Sequence, residues 1–70
     1  MTLGEKMKNY RGENKVTQKQ LASDVGYSPV TISYIESGWD NRCSLPKFAK
    51  MAIVMQLTPE EVYDIVMSSV

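Results

Sequence analysis

The stretch "TQKQLASDVGYSPVTISYIESG", Thr17 to Gly38, decides how this chain folds. It opens with Thr17-x-x-Gln20, a capping box: the hydroxyl accepts from an early backbone N–H and the Gln side chain reaches back. Leu21, Ala22 and Val25 then share one helical face, and Gly26 supplies a stop in the left-handed conformation. Ser28-Pro29 starts a new helix, with Pro at the first helical position, where no N–H is missed. Ile32 and Ile35 form the inner face of that helix, and Gly38 ends it. The stretch therefore predicts two short helices, about 18–25 and 29–37, joined by Gly26-Tyr27-Ser28. Ala22 is small because the two cross closely there, and Val25, Ile32 and Ile35 hold the angle between them.

Working outward, the same punctuation divides the rest of the chain. Thr2-x-x-Glu5 is another capping box, and Gly12 and Asn14 end or fray the helix it starts. Ser44-Leu45-Pro46 is a weaker start. Thr58-Pro59-Glu60-Glu61 combines cap, Pro, capping box and acids suited to the helix dipole. No alternating strand pattern appears. The expectation is an all-α, compact five-helix bundle, with helices at about 3–13, 18–25, 29–37, 45–56 and 59–68. It forms one domain, 1–70, with a helix-turn-helix at about 17–37. Apolar spacing assigns Leu3, Met7 and Tyr10 to the core, then Leu45, Phe48, Ala49, Met51, Ala52 and Met55, and finally Leu57, Val62, Ile65, Val66 and Val70.

Composition narrows the function. Seventy residues make one small domain. One Cys and no His remove the usual nucleophile–base pairs and His metal sites, so no enzyme, cofactor or metal is expected. A single Cys43, no signal pattern and no apolar run near the ~18–20 residues of a membrane span point to the cytoplasm. Formal net charge is zero but unevenly spread. Residues 1–50 carry eight bases and five acids, a balance of +3; residues 51–70 carry Glu60, Glu61 and Asp64 and no base, a balance of −3. A basic body with an acidic end can offer one face to an anion. It can equally be a solvated surface.

The quoted stretch resembles the helix-turn-helix family of phage Cro and repressor proteins and their bacterial, XRE-like relatives. Gln18, Leu21-Ala22, Gly26, Ser28, Ile32 and Ile35-Glu36-Ser37-Gly38 carry the likeness. It extends to "LGEKMKNYRGENKV" and to "SLPKFAKMAIVMQLTPEEVYDI", where Ala52 and Met55 stand in an Ala-x-x-Leu pattern. The resemblance implies a small transcriptional regulator that binds double-stranded DNA. Ser28, Pro29, Val30, Thr31, Ser33 and Tyr34 would face the bases in the major groove. Thr17, Gln18, Lys19, Asn41, Arg42 and Lys47 would meet phosphates. Arg11 and Glu36 match positions that pair inside the domain, a structural role. A homodimer, at least on DNA, would read half-sites about one helical turn apart. The acidic fifth helix, with Val62, Ile65, Val66, Met67 and Val70, is the candidate partner surface.

The expected reading face lacks Arg, Lys, Asn and Gln, the side chains that make bidentate base contacts. It offers methyl groups, hydroxyls and a Pro ring. These suit the thymine methyl and the reading of DNA shape. Tyr34 either reads or packs on Tyr27. Trp39 either packs on a neighbouring helix, sits at a dimer contact or lies near DNA sugars. Cys43 fits loop packing. The rival reading is a protein-interaction module on the same fold, antitoxin-like or anti-repressor-like, favoured by zero net charge and a reading face without bases.

Overall fold

The computed structural model describes residues 1–38 and 44–68. Five helices follow one another: α1 (Leu3–Asn14), α2 (Gln18–Val25), α3 (Pro29–Glu36), α4 (Leu45–Val54) and α5 (Pro59–Ser68), with no strand among the described residues. The fold is all-α. The roles expected for Trp39, Asn41, Arg42, Cys43 and Val70 lie outside the described residues.

Four of the five helix starts carry side-chain caps; at α4, Ser44 makes no side-chain cap bond and Pro46 stands in the first turn. Thr2 and Thr17 close capping boxes with Glu5 and Gln20, and Thr58 does so with Glu61. Ser28 accepts from the Thr31 N–H at 3.2 Å, with Pro29 at the first helical position. Gly26 takes the left-handed conformation (φ 78°) and its N–H donates to the Ala22 carbonyl.

The helix ends differ from expectation at two places. α1 runs through Gly12 and Asn14, and Lys15 takes the left-handed position at φ 55°. Asn14 donates its side-chain amide to the Tyr10 carbonyl at 2.9 Å, and the Val16 N–H donates to Arg11 at 3.0 Å. These bonds cap the last turn, which Gly12 and Asn14 were expected to end or fray and which closes one residue beyond the expected 13. α4 stops at Val54, short of 56, because Gln56 turns left-handed (φ 54°) and Leu57 donates back to Ala52 at 3.0 Å.

Leu3 and Met7 of α1, Leu21, Ala22 and Val25 of α2, Ile32 and Ile35 of α3, Met51 and Met55 near α4, and Ile65 of α5 form one buried cluster. Tyr10, Val16, Tyr27, Phe48, Val54 and Leu57 pack around it. Three residues expected in the core are exposed: Leu45 (78%), Ala49 and Val66. α4 is apolar around most of its circumference, and the Phe48–Met51–Met55 side is the one that meets the core. α3 packs against both α1 and α2, and α2 packs against α4. Gly4 marks the closest approach of α1 to α3: a Cβ there would lie 2.4 Å from the Ile35 carbonyl oxygen and 3.0 Å from the Glu36 Cα.

Candidate nucleic-acid interface

With Ile32 and Ile35 fully buried, the opposite side of α3 must face outward. Ser28, Pro29, Val30, Ser33 and Tyr34 are exposed along it. Val30 is the most open of its large apolar groups, at 59%. Thr31 stands at the margin, half-buried, and its hydroxyl lies 3.0 Å from that of Ser28. The Ser28 oxygen also caps α3, so these two hydroxyls support the helix while facing solvent. Ser33 uses its carbonyl to accept from the Ser37 hydroxyl at 2.9 Å. The one acid of α3, Glu36, points inward and is 7% exposed. The outer face therefore presents methyls, hydroxyls and a phenol, with no negative charge of its own.

Beneath this face lies a polar cluster joining three helices. Arg11 of α1 grips Glu36 with both edges of the fork: Nε donates to Oε2 at 2.7 Å and Nη2 to Oε1 at 2.9 Å. Its third nitrogen reaches the Val16 carbonyl at 3.4 Å. Gln18, the first residue of α2, donates its amide to Glu36 Oε1 at 3.0 Å. Burial raises the Glu36 pKa, but the hydrogen bonds from Arg11 and then Gln18 outweigh it and leave the carboxyl below its ordinary value. The hydrogen bond to Glu36 likewise raises Arg11 above its usual range, against the opposing effect of burial. One carboxylate thus fixes both the base of α3 and the first side chain of α2.

The expected phosphate contacts divide into two kinds. Thr17 and Lys19 are exposed at the start of α2, where backbone N–H groups and the helix dipole favour an anion. Thr17 spends its hydroxyl oxygen on the Gln20 N–H at 3.1 Å. Gln18 and Lys47 are half-buried and already hold protein partners. Lys47 donates to the Gly26 carbonyl at 2.8 Å and lies 5.1 Å from the centre of the Tyr27 ring, so it clamps the turn to α4. Neither the Gln18–Glu36 bond nor the Lys47 clamp was legible, because the partners lie 18 and 21 residues apart and neither pairing has a local signature. Among the described residues, no group of three or more His, Cys, Asp or Glu is placed to hold a metal, and no helix is long and apolar enough to cross a membrane.

A family model described as a helix-turn-helix domain matches residues 2–64, from the first cap into α5. No curated protein and no solved structure matches the chain. With the match covering nearly all of the sequence and α2–turn–α3 at its centre, this chain belongs to the helix-turn-helix domain family, of the Cro/XRE type.

Proposed function

We propose that this chain is a small transcriptional regulator, repressor-like or Cro-like, that binds double-stranded DNA sequence-specifically with α3 in the major groove. Family membership suggests DNA as the ligand. The observation that carries the finer reading is the two-sided nature of α3. Its inner face is locked by Ile32, Ile35 and Glu36, and its outer face is open and free of acidic groups. Val30 and Thr31 would meet thymine methyls, and Ser28, Ser33 and Tyr34 would supply adaptable hydroxyls. Pro29 would shape the approach of the helix to the groove. Thr17, Gln18 and Lys19 would anchor one phosphate strand through side chains and the α2 N-terminus. Asn41, Arg42 and Lys47 would serve the other. Arg11 and Glu36 keep the structural role. The regulator would act in the cytoplasm, as a homodimer at least when on DNA, without metal or cofactor.

Salt dependence tests this directly. Lys19, Arg42 and Lys47 are the proposed phosphate-neutralising cations. At about −0.9 per phosphate, log K against log salt should have a slope near −3 for one copy and near −5 for two. Sites selected from a random DNA pool give the ligand, and fluorescence anisotropy from 50 to 200 mM salt gives the slope. A selected palindrome supports the dimer. No enrichment at low salt would overturn the regulator reading.

The second reading, a protein-interaction module, is favoured by the zero net charge and by an α3 face without Arg, Lys, Asn or Gln. It predicts no enriched DNA site, and loss of a protein partner on Val30→Asp or Tyr34→Asp.

A further inference from the structure

The polar atoms on the outer face of α3 limit what it can tell apart. The Ser28 hydroxyl oxygen accepts from the Thr31 N–H at 3.2 Å, and the Ser28 and Thr31 hydroxyls lie 3.0 Å apart, where either can donate. If Thr31 donates, the Ser28 hydrogen is left over; if Ser28 donates, the Thr31 hydrogen is left over. In both arrangements the pair keeps a spare hydrogen and an open lone pair. It can donate to the O4 of thymine or accept from the N4 amino group of cytosine, and it does not choose between them. Ser33 and Tyr34, also exposed, carry hydroxyls of the same dual character. Pro29 brings no N–H to the first turn, and α3 contains no Arg, Lys, Asn or Gln to fix a donor or acceptor. Its acid, Glu36, is turned inward. What remains to separate the two pyrimidines is apolar: Val30, 59% exposed, and the methyl of half-buried Thr31.

We infer that α3 recognises the C5-methyl group of a major-groove pyrimidine rather than its polar edge, so that 5-methylcytosine paired with guanine substitutes for thymine paired with adenine. Both pyrimidines carry that methyl on the same ring carbon, and unmodified cytosine lacks it. The paired purines differ at the O6 or N6 position only in polar character, which a hydroxyl meets either way. This rests on the reading above, with α3 in the major groove, and narrows the ligand to duplex DNA bearing C5-methyl pyrimidines. A methyl moved from water onto Val30 is worth about fourfold in affinity. A bidentate Arg, Asn or Gln contact would overrule so small an effect by matching a fixed polar pattern, and α3 has none of these side chains. Methylation of a cytosine at such a position therefore raises occupancy, and preference at that base pair follows the methyl instead of the hydrogen-bonding pattern.

The test uses the full chain and the duplex selected from a random pool, with affinity read by fluorescence anisotropy at one salt concentration. Each thymine of that site is replaced singly by uracil, which removes only the methyl, and each T·A pair by C·G and by 5-methyl-C·G. At a thymine beneath α3, uracil should weaken binding about fourfold and C·G at least as much, while 5-methyl-C·G should recover most of the loss. Val30→Ala, or Thr31→Ser, which keeps the hydroxyl, should shrink the uracil effect toward none at the position it touches and leave the others unchanged. Circular dichroism melts matching the parent chain show that both variants remain folded. A selected site without thymine, uracil that is harmless at every thymine, or C·G that gains nothing from methylation overturns the methyl inference and leaves DNA binding standing. A uracil effect that persists in full in both variants originates in the DNA and overturns it as well. Failure to select any site overturns the DNA-binding reading and this inference together.

Discussion

Gly4 is the residue whose replacement the structure judges most harshly for its size. Alanine is favoured over glycine in a helix by about 1 kcal/mol. At Gly4 the added methyl would meet the Ile35 carbonyl oxygen and the Glu36 Cα, both backbone atoms that cannot swing aside. Overpacking costs about 1–3 kcal/mol, and here it also pushes α1 away from α3. Gly4→Ala should therefore lower the melting temperature, whereas Gly12→Ala, with open space around the new Cβ, should raise it by a few degrees. Equal shifts in thermal melts of the two variants would refute the close approach. Glu36 gives the second expectation at this scale. Its carboxylate is buried, while about a quarter of the Arg11 side chain remains in water. Glu36→Ala should cost about 3 kcal/mol, the lower end for breaking a buried pair. An Arg11→Met, Glu36→Leu double variant should recover much of that loss in urea unfolding, since it leaves no charge stranded. Arg11 and Glu36 were legible as a pair only through family resemblance; the fork geometry and the Gln18 arm needed the packed helices.

At the scale of elements, helix beginnings were readable and helix endings were less so, for a physical reason. A cap such as Thr17 or Thr58 satisfies N–H groups with side chains two or three residues away, so the signal is local. The α1 and α4 endings put Lys15 and Gln56 in the left-handed conformation, which their residue types do not advertise. The next helix's packing decides where the chain must reverse. Ambiguity of the same kind misplaced Leu45 and Ala49: α4 has apolar residues on more than one face, and periodicity cannot say which face meets the core. On α3 the periodicity was clean, because Ile32 and Ile35 have no apolar rival except Val30 and Tyr34 on the far side. That separation sets up a functional prediction. Val30→Ala removes two carbons from the outer face, worth about 1 kcal/mol or near fivefold at a thymine it touches. In competition binding across selected sites, the preference at particular base pairs should fall while other positions keep theirs. Gln18→Ala should instead weaken all sites alike, because a phosphate carries no sequence information. Uniform weakening by Val30→Ala would remove α3 from base reading.

Across the whole molecule, the charges that hold helices together are carboxylates with depressed pKa values, and this sets how the fold responds to acid. The Lys6 ammonium binds Glu61, tying α1 to the start of α5. The hydrogen bond from Lys6, followed by that from the Thr58 N–H, brings Glu61 down to about 2. Hydrogen bonds from the Thr2 backbone and side chain lower Glu5 in the same way. Glu36 is lowered by Arg11 and Gln18 against the opposing effect of burial. In each case the folded chain binds its proton less readily than the unfolded chain, whose glutamates titrate near 4.5. The stability these groups supply is therefore complete above the unfolded value and is lost as pH falls through the folded ones. With no His in the chain, no side chain of ordinary pKa near 6.5 adds a step at neutral pH. Urea midpoints should be level from about pH 6 to 7.5, then decline continuously from about pH 5 toward pH 2. Glu61→Gln should start from a lower plateau and decline less steeply, because the group that titrates furthest has been removed. A parent chain that begins to lose stability above pH 6, or a Glu61→Gln chain with an unchanged acid limb, would show that these carboxylates do not govern the acid response.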